Sequence, residues 1–168
     1  MKKIHSFLKK EQFITDRTGL IICIINLLLV LNSTFFFLFK MKTGIQAWLM
    51  LNSCAPSMYL FILGYFLRSS VLTAASSVMM IRWGFLGLFM FSWEGFNIIA
   101  QIGHIAMTFT VIYTFFTLIK QKKFKSLIAG LLLGLIITIP YSYIQINWFN
   151  DRPGFLDQFF QGNAGLSK

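Results

Sequence analysis

Acid is scarce in this chain. Five carboxylates, Glu11, Asp16, Glu94, Asp151 and Asp157, are all it has in 168 residues. None lies within a long apolar run, so paired intramembrane carboxylates are excluded. Charge of both signs is also thin, at 12% of residues against about 25% in soluble domains. That deficit excludes an ordinary soluble fold and leaves too little polar sequence for a second, soluble domain. Histidine occurs twice, as His5 and His104. With His5 in a charged tail, a bis-histidine haem is excluded, and a metal site is not expected. The two cysteines, Cys23 and Cys54, form no C-x-x-C. Helix placement separates them by roughly 9 Å in depth, beyond the ~7 Å between the Cα atoms of a disulfide. Neither G-x-S-x-G nor H-E-x-x-H occurs, and no cofactor is expected.

What is abundant is apolar sequence, 57% of the chain, in runs of membrane-spanning length. Five spans are expected, at about 20–39, 44–67, 71–93, 95–119 and 126–146, within a bundle covering 19–148. The fold class is all-α, a polytopic membrane helix bundle. Residues 1–18 place Ile4, Phe7, Leu8 and Ile14 at helical spacing. They read as a cytoplasmic amphipathic helix, with a disordered basic tail as the alternative. In the first span, Cys23, Asn26, Val30 and Ser33 share one face with small or polar groups. The second carries Asn52, Ser53 and Pro56 near its middle, where proline frees a carbonyl and kinks the helix. Gly130 and Gly134 form a G-x-x-x-G ridge in the fifth span, suited to close packing within the bundle or between subunits. Pro140 ends or bends that span. The outer interfacial tail, 149–168, opens on a turn at Asp151-Arg152-Pro153-Gly154 and continues with Phe155, Leu156, Phe159 and Phe160 at the spacing of a surface helix.

The chemistry gathers in the stretch 82–104. Arg82 lies eleven residues before Trp93 and His104 eleven after it, which puts both ~16 Å from a turn at Glu94-Gly95, near the midplane of a ~30 Å core. Glu94, Asn97, Gln101, His104 and Thr108 recur at i, i+3, i+7, i+10 and i+14, one stripe on one helix face. Such a stripe must face other helices or water, because unpaired polar groups in lipid cost on the order of several kcal/mol each. Arg82 costs ~3 kcal/mol at the midplane and has no acid at its own depth. Three compensations are open: internal partners among Gln101, His104, Asn52 and carbonyls near Pro56; snorkelling with Trp83 stacked on the guanidinium; or an anionic group from outside the chain.

The formal charge is +10, and its distribution speaks for topology rather than nucleic acid. With the N-terminus cytoplasmic and the C-terminus outside, ten of the fifteen basic residues collect inside and four outside. Trp48, Trp93 and Trp148 then fall at the outer interface. The expected protein is a multi-pass protein of the cell membrane. As a transport or ligand-binding component it would hold a small anionic ligand or lipid headgroup in a midplane pocket built from Arg82, His104, Gln101, Asn97, Asn52 and Glu94. A non-catalytic accessory subunit of a larger membrane complex, or a homo-oligomer, is the alternative, and an intramembrane enzyme acting on a lipid the third. The bilayer is the one partner common to all three.

Overall fold

The computed structural model describes residues 12–90, 93–94 and 97–155, apart from the side chains of Met90 and Asn97. The described chain is helical, with one isolated antiparallel bridge between Gln12 and Ser69. The helices are α1 (Arg17–Phe35), α2 (Ile45–Leu51), α3 (Cys54–Phe66), α4 (Ser70–Met80), α5 (Leu86–Met90), α6 (Asn97–Lys120) and α7 (Phe124–Asn150). Wider π-helical turns extend α1 through Phe36–Lys40 and join α4 to α5 through Ile81–Phe85.

Four of the resulting rods are long and apolar enough to cross a membrane: Arg17–Lys40, Ser70–Phe89, Ile98–Lys120 and Phe124–Asn150. The pair α2 and α3 makes a fifth if its two halves count as one span. Large apolar side chains cover the outside, among them Leu28, Phe116, Ile136 and Ile139, each more than half exposed. An apolar exterior of this extent is what lipid contact requires and what a soluble monomer avoids. The protein is a membrane-type helix bundle.

Small residues set its centre. Helix α4 buries Ser70, Thr73, Ala74, Ala75, Ser76 and Ser77 almost completely, with its hydroxyls bonded to its own carbonyls at 2.7 to 3.2 Å. Neighbouring backbones therefore approach closely. A Cβ on Gly64 of α3 would lie 2.8 Å from the amide nitrogen of Thr73. On α7, a Cβ at Gly130 would lie 2.5 Å from the Val71 carbonyl oxygen, and one at Gly134 2.6 Å from that of Ala75. The G-x-x-x-G ridge thus packs inside the bundle, against α4. Helix α1 buries Gly19, Cys23, Asn26 and Val30, the face marked out by their spacing. Asn26 donates to Thr110 Oγ1 on α6 at 2.8 Å. Both cysteines are free thiols.

Three elements differ from the sequence expectation. The second span is not one kinked helix. It breaks at Asn52–Ser53, and its halves meet at 88°. The break falls ahead of Pro56 because a proline in the first turn of a helix gives up an N–H that has no intrahelical partner. The Asn52 carbonyl, four residues back, accepts from the Ala55 N–H instead, at 3.0 Å. Helix α7 does not end at Pro140 but continues to Asn150. One proline removes one backbone bond, and the turns beyond it are anchored by side chains described below.

The third difference lies in residues 12–16, which are extended rather than helical. They form a strap across one end of the bundle, while residues 1–11 lie outside the described part. The Phe13 N–H donates to the Arg68 carbonyl at 2.7 Å, and the Gln121 side chain exchanges two bonds with the Ile14 backbone. Phe13 is buried between Tyr65 and Tyr113, with ring centroids 6.1 and 6.3 Å away, whereas Ile14, placed on the expected apolar face, is 62% exposed. At the other terminus, residues 151–154 turn as expected, with Gly154 at φ +78°. The surface helix expected at 155–160 falls beyond residue 155, outside the described part.

Candidate functional site

The break in the second span is the polar centre of the molecule. A helix that stops inside a membrane leaves its last carbonyls unbonded, and these must find partners within the protein. Helix α7 supplies them. Tyr141 donates its hydroxyl to the Leu49 carbonyl. Gln145, one turn further on, donates to the Met50 carbonyl at 2.6 Å and to Ser53 Oγ. Helix α1 contributes Ser33, whose hydroxyl accepts from the Asn52 amide. Helix α6 contributes His104, whose Nε2 lies 3.7 Å from Cys54 Sγ. Three consecutive residues, Asn52, Ser53 and Cys54, thus each face a different helix.

His104 continues the network. Its Nδ1 lies 3.1 Å from Gln101 Oε1, and Gln101 Nε2 donates towards the Leu88 carbonyl at 3.4 Å. The ring is seated on Gly87, where a Cβ would come within 2.5 Å of Cε1. Only a glycine leaves room for an imidazole there. The neighbouring Gly84 meets Met107, with 2.9 Å between its ideal Cβ and that of Met107. Thr108 donates back to the His104 carbonyl at 2.9 Å. Gln101 is fully buried and His104 is 5% exposed, so this part of the stripe faces the bundle interior.

Of the six residues singled out by sequence, the described side chains do not all lie together. Gln101 and His104 are joined, and Asn52, two residues before the Cys54 that meets His104, bonds to Ser33 instead. Glu94 is exposed. Asn97 opens α6, and its side chain is outside the described part. Arg82 stands apart. It lies in the π-turn between α4 and α5, half-exposed, and among the described residues its guanidinium makes one contact, over the Trp83 ring at 4.7 Å. Gly84 and Gly87 face α6, whereas Phe85 and Phe89, three and seven residues after Arg82, are 50% and 75% exposed, and helical spacing sets the half-buried Arg82 nearer their side than that of the glycines. Of the three compensations for its charge, the stacked tryptophan is in place.

Sequence reasoning places Ser33 on the packing face of the first span without naming its partner, gives Tyr141 and Gln145 no role in a site, and treats Cys54 as a plain apolar residue. The available signal is Tyr141 and Gln145 at i, i+4, one polar pair on a single face of the fifth span. Among the described residues, no three His, Cys, Asp or Glu side chains gather as a metal would need.

No protein-family model, curated protein or solved structure matches this chain. Fold and polar centre therefore define it by class alone: an all-helical membrane-type bundle with a broken second span.

Proposed function

We propose that the protein is a non-catalytic subunit of a larger assembly in the cell membrane, docked through the outward face of the third span. The observation that carries this reading is the position of Arg82, a cation ~18 Å along its helix from Ser70 and on the lipid side with Phe85 and Phe89. A charge in that setting calls for a counter-charge at its own depth. By residue count the five acids of this chain fall outside the long apolar runs, so a second copy is expected to bring none to that level. The occupant is a partner's transmembrane helix carrying an Asp or Glu. A small anionic ligand or lipid phosphate on Arg82 is the second reading, supported by the same guanidinium. The interior polar groups give either reading no pocket, because they bond to one another.

Five crossings with the N-terminus inside fit this arrangement and follow if the bent pair counts as one span. The strap, Arg68 and Gln121 share one end of the bundle, and α1 carries the chain ~36 Å from there to Lys40. The bent pair returns the chain to Arg68, whose carbonyl accepts from Phe13 in the strap, and this return favours reading the pair as one crossing over a re-entrant loop. The end that carries the strap is also the one rich in lysine, as a cytoplasmic face should be.

The test is the native mass of the complex after gentle detergent extraction. Arg82→Leu is expected to release the chain as a folded monomer, and Arg82→Lys to retain the partner. Release of an anionic compound with no change in protein mass selects the second reading. Identical mass and bound content for Arg82→Leu and the unaltered chain overturn both.

A further inference from the structure

We infer that Cys54 is a lipid-attachment site, a thiol that takes on a fatty acyl group as a thioester with His104 as its base. Two helices build the pair. Cys54 opens α3, and His104 meets it from α6, with Nε2 3.7 Å from Sγ. Gln101 sets the imidazole for this task. The Leu88 carbonyl can only accept, so the Gln101 amide nitrogen turns to it at 3.4 Å, and the amide oxygen turns to His104 Nδ1 at 3.1 Å. Nδ1 therefore carries the ring proton, and Nε2 offers its lone pair to the thiol. A nucleophile beside a base that a third group orients is the arrangement of covalent catalysis. Gly87, against which the ring is seated, leaves it in place beside the sulfur.

The surroundings of the pair favour sulfur as the nucleophile. Cys54 is the first residue of a 13-residue helix whose N-cap, Ser53, makes no side-chain capping bond. The dipole at that end stabilises negative charge as it develops on Sγ. Exposure divides the three residues by role. Gln101 and His104 are sealed in the bundle, whereas Cys54 is only partly buried, so the base is shielded and the cysteine reaches the surface. Cys54 also stands ~18 Å along α3 from Phe66 at the strap end, past the middle of a ~30 Å hydrocarbon core. Lipid rather than water surrounds the bundle at that level, which protects a thioester from hydrolysis. Cys23, the other free thiol, is 2% exposed and provides an internal comparison.

In the reaction Sγ attacks an acyl carbonyl. The S–C bond forms as the donor's ester bond breaks, and the thiol proton passes through His104 Nε2 to the leaving group. Nothing is oxidised or reduced. Two donors carry such a carbonyl: a phospholipid ester, which leaves as a lysolipid hydroxyl, and an acyl-coenzyme A thioester, which leaves as a thiol. The lipid stays on the chain, so the reaction is a modification and stands apart from the Arg82 face. The test uses the full chain in nanodiscs of phosphatidylcholine with deuterated acyl chains, with and without unlabelled palmitoyl-coenzyme A. Mass spectrometry of the protein and its peptides reads the added acyl group, its label and its release by neutral hydroxylamine. A thioester is expected on Cys54 and not on Cys23. A deuterated adduct identifies the phospholipid as donor, and an unlabelled one the coenzyme A thioester. Cys54→Ala is expected to abolish the adduct, and His104→Asn to slow its formation about a hundredfold or more. Gln101→Leu is expected to slow it as well, and Gln101→Glu, which keeps an oxygen on Nδ1, to restore it. If His104→Asn fails to fold, the ratio of Cys54 to Cys23 acylation in the unaltered chain decides. No adduct from either donor, equal adducts on the two cysteines, or an unchanged rate in folded His104→Asn overturns the inference.

Discussion

At Asn52–Ser53 the chain turns through 88° inside the bundle, whereas at Ile81–Phe85 it winds one wide turn and carries on. The sharper interruption is the better satisfied. Leu49, Met50, Asn52, Ser53 and Cys54 all find partners, on α1, α6 and α7. The gentler one leaves Arg82 on the outside with a tryptophan face, and Trp83 Nε1 is buried without a hydrogen-bond partner. Polar groups turned inward thus tie the helices to one another, whereas Arg82 meets only its neighbour Trp83 among the described residues. Buried polar networks stabilise only when every member is bonded. At the break, Asn52, Ser53 and Cys54 each have a partner and only the nearby Trp48 Nε1 is buried without one among the described residues, whereas the π-turn leaves its cation on a tryptophan face.

Substitutions separate the two regions by size of effect. Gln145→Leu strips partners from the Met50 carbonyl and Ser53 together, each in a place that water does not reach. A loss of about 3 kcal/mol in unfolding free energy is expected, measured by steric trapping in bicelles. Gly87→Val drives a side chain into the His104 ring and costs about 2 kcal/mol by overpacking. The same change exposes Cys54, so thiol alkylation in the folded protein should speed up; an unchanged rate would mean that the imidazole does not cover the thiol. Ser33→Ala removes one hydroxyl and leaves the Asn52 amide free to find another acceptor. About 1 kcal/mol is expected from the same measurement. A larger loss from Ser33→Ala than from Gln145→Leu would shift the anchor of the break from α7 to α1.

Much of this architecture is legible in residue order. Run lengths mark the spans, the spacing of Cys23, Asn26 and Val30 marks the buried side of α1, and the stripe through Gln101 and His104 marks a face that cannot meet lipid. Depth is also readable, because it needs only a count of residues at ~1.5 Å each. Direction around the helix is not. Arg82 and His104 lie at comparable depth, but Arg82 stands inside a π-turn, where the spacing departs from that of an α-helix. Among the described residues its guanidinium rests on Trp83 rather than on the stripe that shares its depth. The break at Asn52 is hidden for another reason. Its carbonyls are sealed by Tyr141 and Gln145, some ninety residues later, and nothing in the local sequence announces them. The strap escapes a sequence reading because apolar residues at helical spacing do not reveal that Gln121 offers its amide to an extended backbone.

The claim that inward polar groups hold the fold while the outward cation serves another molecule is tested most directly by one pair of unfolding measurements on the isolated protein in bicelles. For Arg82→Leu the account predicts a stability equal to or above that of the unaltered chain, beside the marked loss for Gln145→Leu. A loss for Arg82→Leu as large as that for Gln145→Leu would contradict it.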